Sequence, residues 1–119
     1  MVVVESANQQ SRAVDTDQLA EAVRNVLEDH GVRAGEVSIA VVDDPEIHLS
    51  FVLEESESYL DGQIVVSAET AARLAPQFGW GAGDELLLYA LHGALHLVGW
   101  DDHEAEDRRR MRELGLKYL

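Results

Sequence analysis

The sequence has 119 residues, enough for one domain with a single core and too few for two. Its 46% hydrophobic and 27% charged residues fit an ordinary globular protein, and the absence of cysteine excludes disulfides and thiolate metal sites. A net charge of −14 argues against a protein that holds nucleic acid by its overall field, although a local basic cluster or a divalent ion can dominate one site.

The opening stretch MVVVESANQQ shows no basic leader followed by a long apolar run. The most apolar window, Leu86–Val98, is thirteen residues long and contains two histidines, too short and too polar to span a bilayer. The expectation is a cytoplasmic protein.

In chain order, Val2–Val4 is a short β-branched run, read as a strand. Thr16 is placed to cap a helix from Asp17 to about Asp29, with Leu19, Ala20, Val23, Val26 and Leu27 on one face and Gly31 as its stop. Val37–Val42, bounded by Gly35 and by Asp43–Pro45, reads as a buried strand, and Leu49–Leu53 as a second. Ile64–Val66 is a third, after the turn signal Asp61–Gly62. Ser67 caps a helix through Glu69 to Ala75, ended near Pro76 and Gly79. Asp84 caps the next, Glu85–Val98, ended by Gly99. A last helix runs from about Glu104 to Tyr118. Four short strands and four helices in this order predict an α/β or α+β single domain over residues 1–119, with a mixed sheet and a central helix.

Five of the nine basic residues, Arg108, Arg109, Arg110, Arg112 and Lys117, fall in the last twelve positions. The pairs Glu104–Arg108, Glu106–Arg110 and Arg109–Glu113 are four apart, the pattern of a salt-bridged, solvated helix face.

Chemistry concentrates in LHGALHLVGWDDH, residues 91–103, which holds three of the five histidines. His92 and His96 are four apart and so share one face of a helix, the spacing with which two imidazoles chelate one metal. A lone histidine on an apolar helix is more often a hydrogen-bonded core residue. Two at this spacing each need a partner, and one ion supplies both. Gly93 weakens the helix by about 1 kcal/mol relative to alanine, which points to close approach by another backbone. On a continuous helix His103 would lie about 10 Å along the axis from His96, too far to share an ion. Gly99 breaks the helix and lets the chain return a third ligand. Residue 93 is glycine rather than glutamate, so the H-E-x-x-H peptidase mechanism has no base here.

HGALHLVGWDDH resembles the signature H-G-x-L-H-L-x-G-Y-D-H of the YbeY family of metal-dependent endoribonucleases. VSIAVVDDPEI resembles that family's strand leading into a D-x-x-I helix, LSF part of T-D-V-L-S-F, and DGQIVVS its G-D-I-V-I-S. The resemblance covers roughly residues 36–119. It implies a zinc-binding fold with a mixed sheet and one zinc per chain. The implied activity is cleavage of single-stranded RNA in 16S ribosomal RNA maturation and ribosome quality control, with phosphates drawn by the metal and by part of the arginine cluster.

Four departures stand out. Trp100 replaces tyrosine. Gln63 stands where aspartate is common. One extra aspartate puts Asp102 at the family's third-ligand spacing and His103 one residue later; chemistry favours His103, because a tri-histidine site keeps the full 2+ charge that activates water. Lastly, the family carries a segment between Ile47–His48 and Leu49 that includes an asparagine, a basic residue implicated in activity and the P-T-D-V lead-in. The join here leaves barely one helical turn, which favours an omitted mobile loop over a true deletion.

The expected metal ligands and catalytic centre are therefore His92, His96 and His103, with Asp102 as the alternative third ligand. Asp101 is a hydrogen-bond partner to a ligand imidazole or, with Glu104, half of a helix cap. His30, at a helix C-terminus, reads as a charge–dipole contact or a solvated residue, and His48 is assigned nothing. The expected partners are single-stranded RNA and the ribosome, with no membrane. Two rival classes remain: a non-catalytic ribosome-associated protein with structural zinc, and a metallohydrolase acting on a small molecule or peptide.

Overall fold

The computed structural model describes residues 2–43, 49–99 and 105–118. The elements follow as β1 (Val2–Asn8), α1 (Thr16–Asp29), β2 (Ala34–Val42), β3 (Leu49–Glu55), β4 (Tyr59–Ser67), α2 (Ala68–Leu74), a 3₁₀ turn (Ala75–Phe78), α3 (Ala82–Leu97) and α4 (Ala105–Lys117). The mixed sheet has the order β1-β2-β4-β3, with β1, β2 and β4 parallel and β3 antiparallel to β4. This is the expected α/β architecture of four strands and four helices. No helix among the described residues is long and apolar enough to cross a membrane.

Alternation along the strands explains the layering. Val2, Val4, Val37, Ile39, Val41, Leu60, Ile64 and Val66 point one way and form one core with Leu19, Val23, Val26 and Leu27 of α1 and Leu87, Leu91, Ala94 and Leu95 of α3. The opposite face of the sheet is open. There Glu5, Glu36, Ser38, Asp61 and Gln63 line a shallow depression with Val3 and Leu53.

Several boundaries differ from those expected. Asp15, not Thr16, caps α1, its Oδ1 accepting the Gln18 N–H at 3.0 Å. Gly35 lies within β2 rather than before it, with φ at +129° and its Cβ position only 1.9 Å from the Leu60 carbonyl oxygen, so only glycine fits. Asp61–Gly62 is inside β4 and not a turn. The chain reverses instead over Ser56–Ser58, where the Ser56 N–H donates to the Tyr59 carbonyl at 3.0 Å. Ser67 caps α2 as expected, accepting from the Thr70 N–H at 3.1 Å. α3 begins at Ala82, a turn earlier than expected, and Asp84 reaches back from the third helical position to accept the Gly81 N–H at 3.1 Å. Gly99, with φ at +102°, follows the end of α3, where a left-handed residue stops a helix.

Candidate metal centre and its surroundings

α3 is the core of the molecule and also carries the chemistry. Ten of its sixteen residues are buried, so it is apolar nearly all round. Glu85, Tyr89, His92 and His96 interrupt that surface at spacings of four, three and four, which aligns them on one face. Tyr89, His92 and His96 are half-buried, whereas Glu85 is only 2% exposed. The sequence reading found the two histidines and missed that Glu85 and Tyr89 extend their stripe, although the spacing was there to be seen.

Two packing contacts fix the histidine pair. Gly93 brings α3 down on β4, where a Cβ would lie 2.7 Å from Ile64 Cγ2. The close approach is thus by a strand side chain, not by a backbone as expected. On the other side, Gly115 of α4 faces the His92 ring, and a Cβ there would lie 3.3 Å from Cδ2 and 3.5 Å from Nε2. That Nε2 is a buried nitrogen. α3 is therefore clamped between sheet and α4, and the His92 ring has a defined seat.

These donors suit a zinc ion. Two imidazoles lie one helical turn apart, a separation of about 6 Å along the axis that two ligands of one ion can span. His103, Asp102 and Asp101 lie outside the described residues, as do Trp100, Glu104 and His48. Among the described residues no group of three or more metal-ligating side chains is gathered. Two imidazoles are fewer ligands than a zinc ion takes, and the expected third donors, His103 and Asp102, are among the residues not described.

The remaining candidates have defined places. His30 follows α1, and its Nδ1 lies 2.8 Å from the Val26 carbonyl oxygen, the expected contact at a helix end. Gln63 lies on β4, facing away from α3, so its replacement of aspartate alters the open face of the sheet and not the histidine pair. Glu106–Arg110 forms the expected ion pair at 2.8 Å. Glu104–Arg108 lies outside the described residues.

At the N-terminal end of the stripe, the Trp80 indole N–H donates to Glu85 Oε2 at 2.6 Å. The Tyr89 hydroxyl has its pKa raised, first by burial and then by the charge and hydrogen bond of Glu85. The buried Glu85 side chain is thus met by an indole and a phenol, the pairing that burial of a polar group demands.

Comparison with known proteins gives a consistent result. The family model described as Endoribonuclease YbeY matches residues 48–119. A protein named Endoribonuclease YbeY from Salinispora tropica is 32% identical, covering 98% of this chain and 93% of its own. Its namesake from Carboxydothermus hydrogenoformans is 35% identical over 89% of this chain and 88% of its own. The solution structure of TM1509 from Thermotoga maritima superposes with a TM-score of 0.59 at 25% identity, covering 99% of this chain and 86% of that one.

Proposed function

Because this chain belongs to the YbeY family of endoribonucleases, we propose that it is a zinc-dependent enzyme that cuts single-stranded RNA, acting in the cytoplasm on 16S ribosomal RNA during its maturation and in ribosome quality control. The observation that carries this reading is the histidine pair. His92 and His96 are half-buried one turn apart on the polar stripe of the most apolar helix in the molecule, at the family's signature positions.

In this reading His92 and His96 present neutral imidazole nitrogens to one zinc ion per chain, and His103 completes the set, with Asp102 as the alternative. A zinc ion so held supplies Lewis-acid activation of water and of a phosphoryl oxygen. The chain's own contribution is placement: Gly93 sets the depth of α3 on the sheet, and Gly115 leaves room for the His92 ring. Asp101 is the proposed hydrogen-bond partner of a ligand imidazole, fixing its tautomer.

One observation favours a second reading, a non-catalytic zinc-binding factor on the ribosome. Only six residues connect β2 to β3, whereas the alignment with the Salinispora protein runs over 146 positions, longer than this whole chain. Extra length in a relative is what a shortened β2–β3 connection would produce, at the place where the family resemblance implies a segment with a basic residue. The sequence as it stands is continuous through His48–Leu49.

The experiment is elemental analysis of the purified protein, followed by incubation with labelled ribosomal RNA beside a His96→Ala control. About one zinc per chain, lost in His92→Ala, together with chelator-sensitive cutting lost in His96→Ala, is the expected result. Equal metal content in wild type and His92→Ala ends the zinc reading. Zinc without cutting selects the non-catalytic factor.

A further inference from the structure

We propose that Phe78 and Arg112 form a nucleobase-binding subsite, in which one base of a single-stranded RNA stacks on the Phe78 ring and the guanidinium meets the adjoining phosphate. The inference rests on the reading of this chain as an enzyme that acts on RNA.

Phe78 ends the 3₁₀ turn before α3, and 49% of it is exposed. A single exposed aromatic means little by itself. This one is held. The Arg112 guanidinium carbon lies 4.3 Å from the Phe78 ring centroid and 6.0 Å from that of Trp80, and the two rings are 6.4 Å apart, tilted by 54°. Trp80 is in turn fixed by its bond to the buried Glu85. The result is a preorganised pair of ring and cation on rigid elements. Proteins hold single strands with this combination, because every base offers a π-face and every nucleotide a phosphate.

Place and charge point the same way. Glu85, which anchors the pair, lies on the same face of α3 as His92, seven residues earlier and therefore roughly 10 Å along the axis. Arg112 is three residues from Gly115, which touches His92. In a chain of net charge −14, Arg112 belongs to the one basic cluster, and Arg73 joins it in acting on the Tyr89 beneath.

The test is fluorescence anisotropy with the zinc-loaded full-length protein and a labelled 2′-O-methyl oligoribonucleotide, shown to be intact afterwards, beside the same oligonucleotide carrying abasic positions. Phe78→Ala is expected to weaken binding of the base-bearing strand roughly tenfold. It should barely change binding of the abasic strand, and Phe78→Tyr should restore the wild-type value. Arg112→Gln should weaken both strands and flatten the salt dependence. Phe78 is surface-placed, so the melting temperature of Phe78→Ala should match wild type. Equal weakening of both strands by Phe78→Ala, no effect of that change, or no binding by the wild type each overturns the subsite. Cutting of ribosomal RNA by wild type and Phe78→Ala alike removes the subsite and leaves the nuclease reading standing. Phe78-dependent binding without cutting does the reverse.

Discussion

The His92 imidazole rests against a glycine. Gly115 of α4 is the point at which a Cβ would meet His92 Cδ2 at 3.3 Å and Leu88 Cδ1 at 3.0 Å, both tighter than ordinary contact. Gly115→Ala gains helix propensity of up to about 1 kcal/mol, and that gain offsets part of the crowding. The ring, however, must shift by a few tenths of an ångström, comparable with the tolerance of a zinc–nitrogen bond. The expected outcome is a zinc dissociation constant raised about tenfold with little change in melting temperature. Competition with a chelating indicator measures it. Unchanged affinity would mean that the seat of His92 does not tune the site.

Gly93 has a different fate. Its Cβ position lies 2.7, 3.2 and 3.3 Å from three carbons of Ile64, which is 1% exposed and has nowhere to go. Gly93→Ala should therefore destabilise by about 1–2 kcal/mol, since overpacking outweighs the helix-propensity gain. Ile64→Ala alone opens a cavity, and the double variant should be less destabilised than the sum of the two. Urea unfolding of the four proteins decides this, and strict additivity would show that the two residues do not compete for one space.

Tyr89 predicts an alkaline weakness. Its pKa is raised from 10.0, first by burial and then by Glu85, so the folded protein holds the phenol neutral. A group of this kind contributes stability that is complete below the unfolded pKa and is lost as pH climbs from about 10 toward the folded value. Tyr89→Phe cannot ionise. Urea midpoints taken across about pH 9 to 11.5 should fall more steeply for wild type than for Tyr89→Phe. Parallel curves would assign the alkaline loss to other groups.

How much of this was legible in the sequence depends on where each signal is satisfied. Helix faces and the Ser67 cap were readable because their partners lie within four residues. Asp61–Gly62 misled because its partners are remote. The Asp61 carboxylate accepts the Glu36 N–H at 2.9 Å on the neighbouring strand, and Gly62 pairs with Val37, so a local turn signature serves a sheet. The histidine pair was legible from spacing alone. The Phe78–Arg112 stack was not, since its halves lie thirty-four positions apart on either side of α3, and Arg112 read only as one member of a solvated face.

The third ligand is the sharpest remaining prediction. His96 lies in the last turn of α3, which ends at Leu97, and Gly99 follows in a left-handed conformation that stops the helix. Register with the family signature puts Asp102 at the ligand position, ten residues after His92. Chemistry favours His103, because a third neutral imidazole preserves the full charge of the ion, while a carboxylate neutralises part of it. A connection between helices absorbs one inserted residue far more easily than a helix does. His103→Ala is therefore expected to lose most of the bound zinc and all chelator-sensitive RNA cutting, whereas Asp102→Ala keeps about one zinc per chain. Elemental analysis of the two variants measures it. Retained zinc in His103→Ala with loss in Asp102→Ala would give the position to the carboxylate and keep the family's spacing intact.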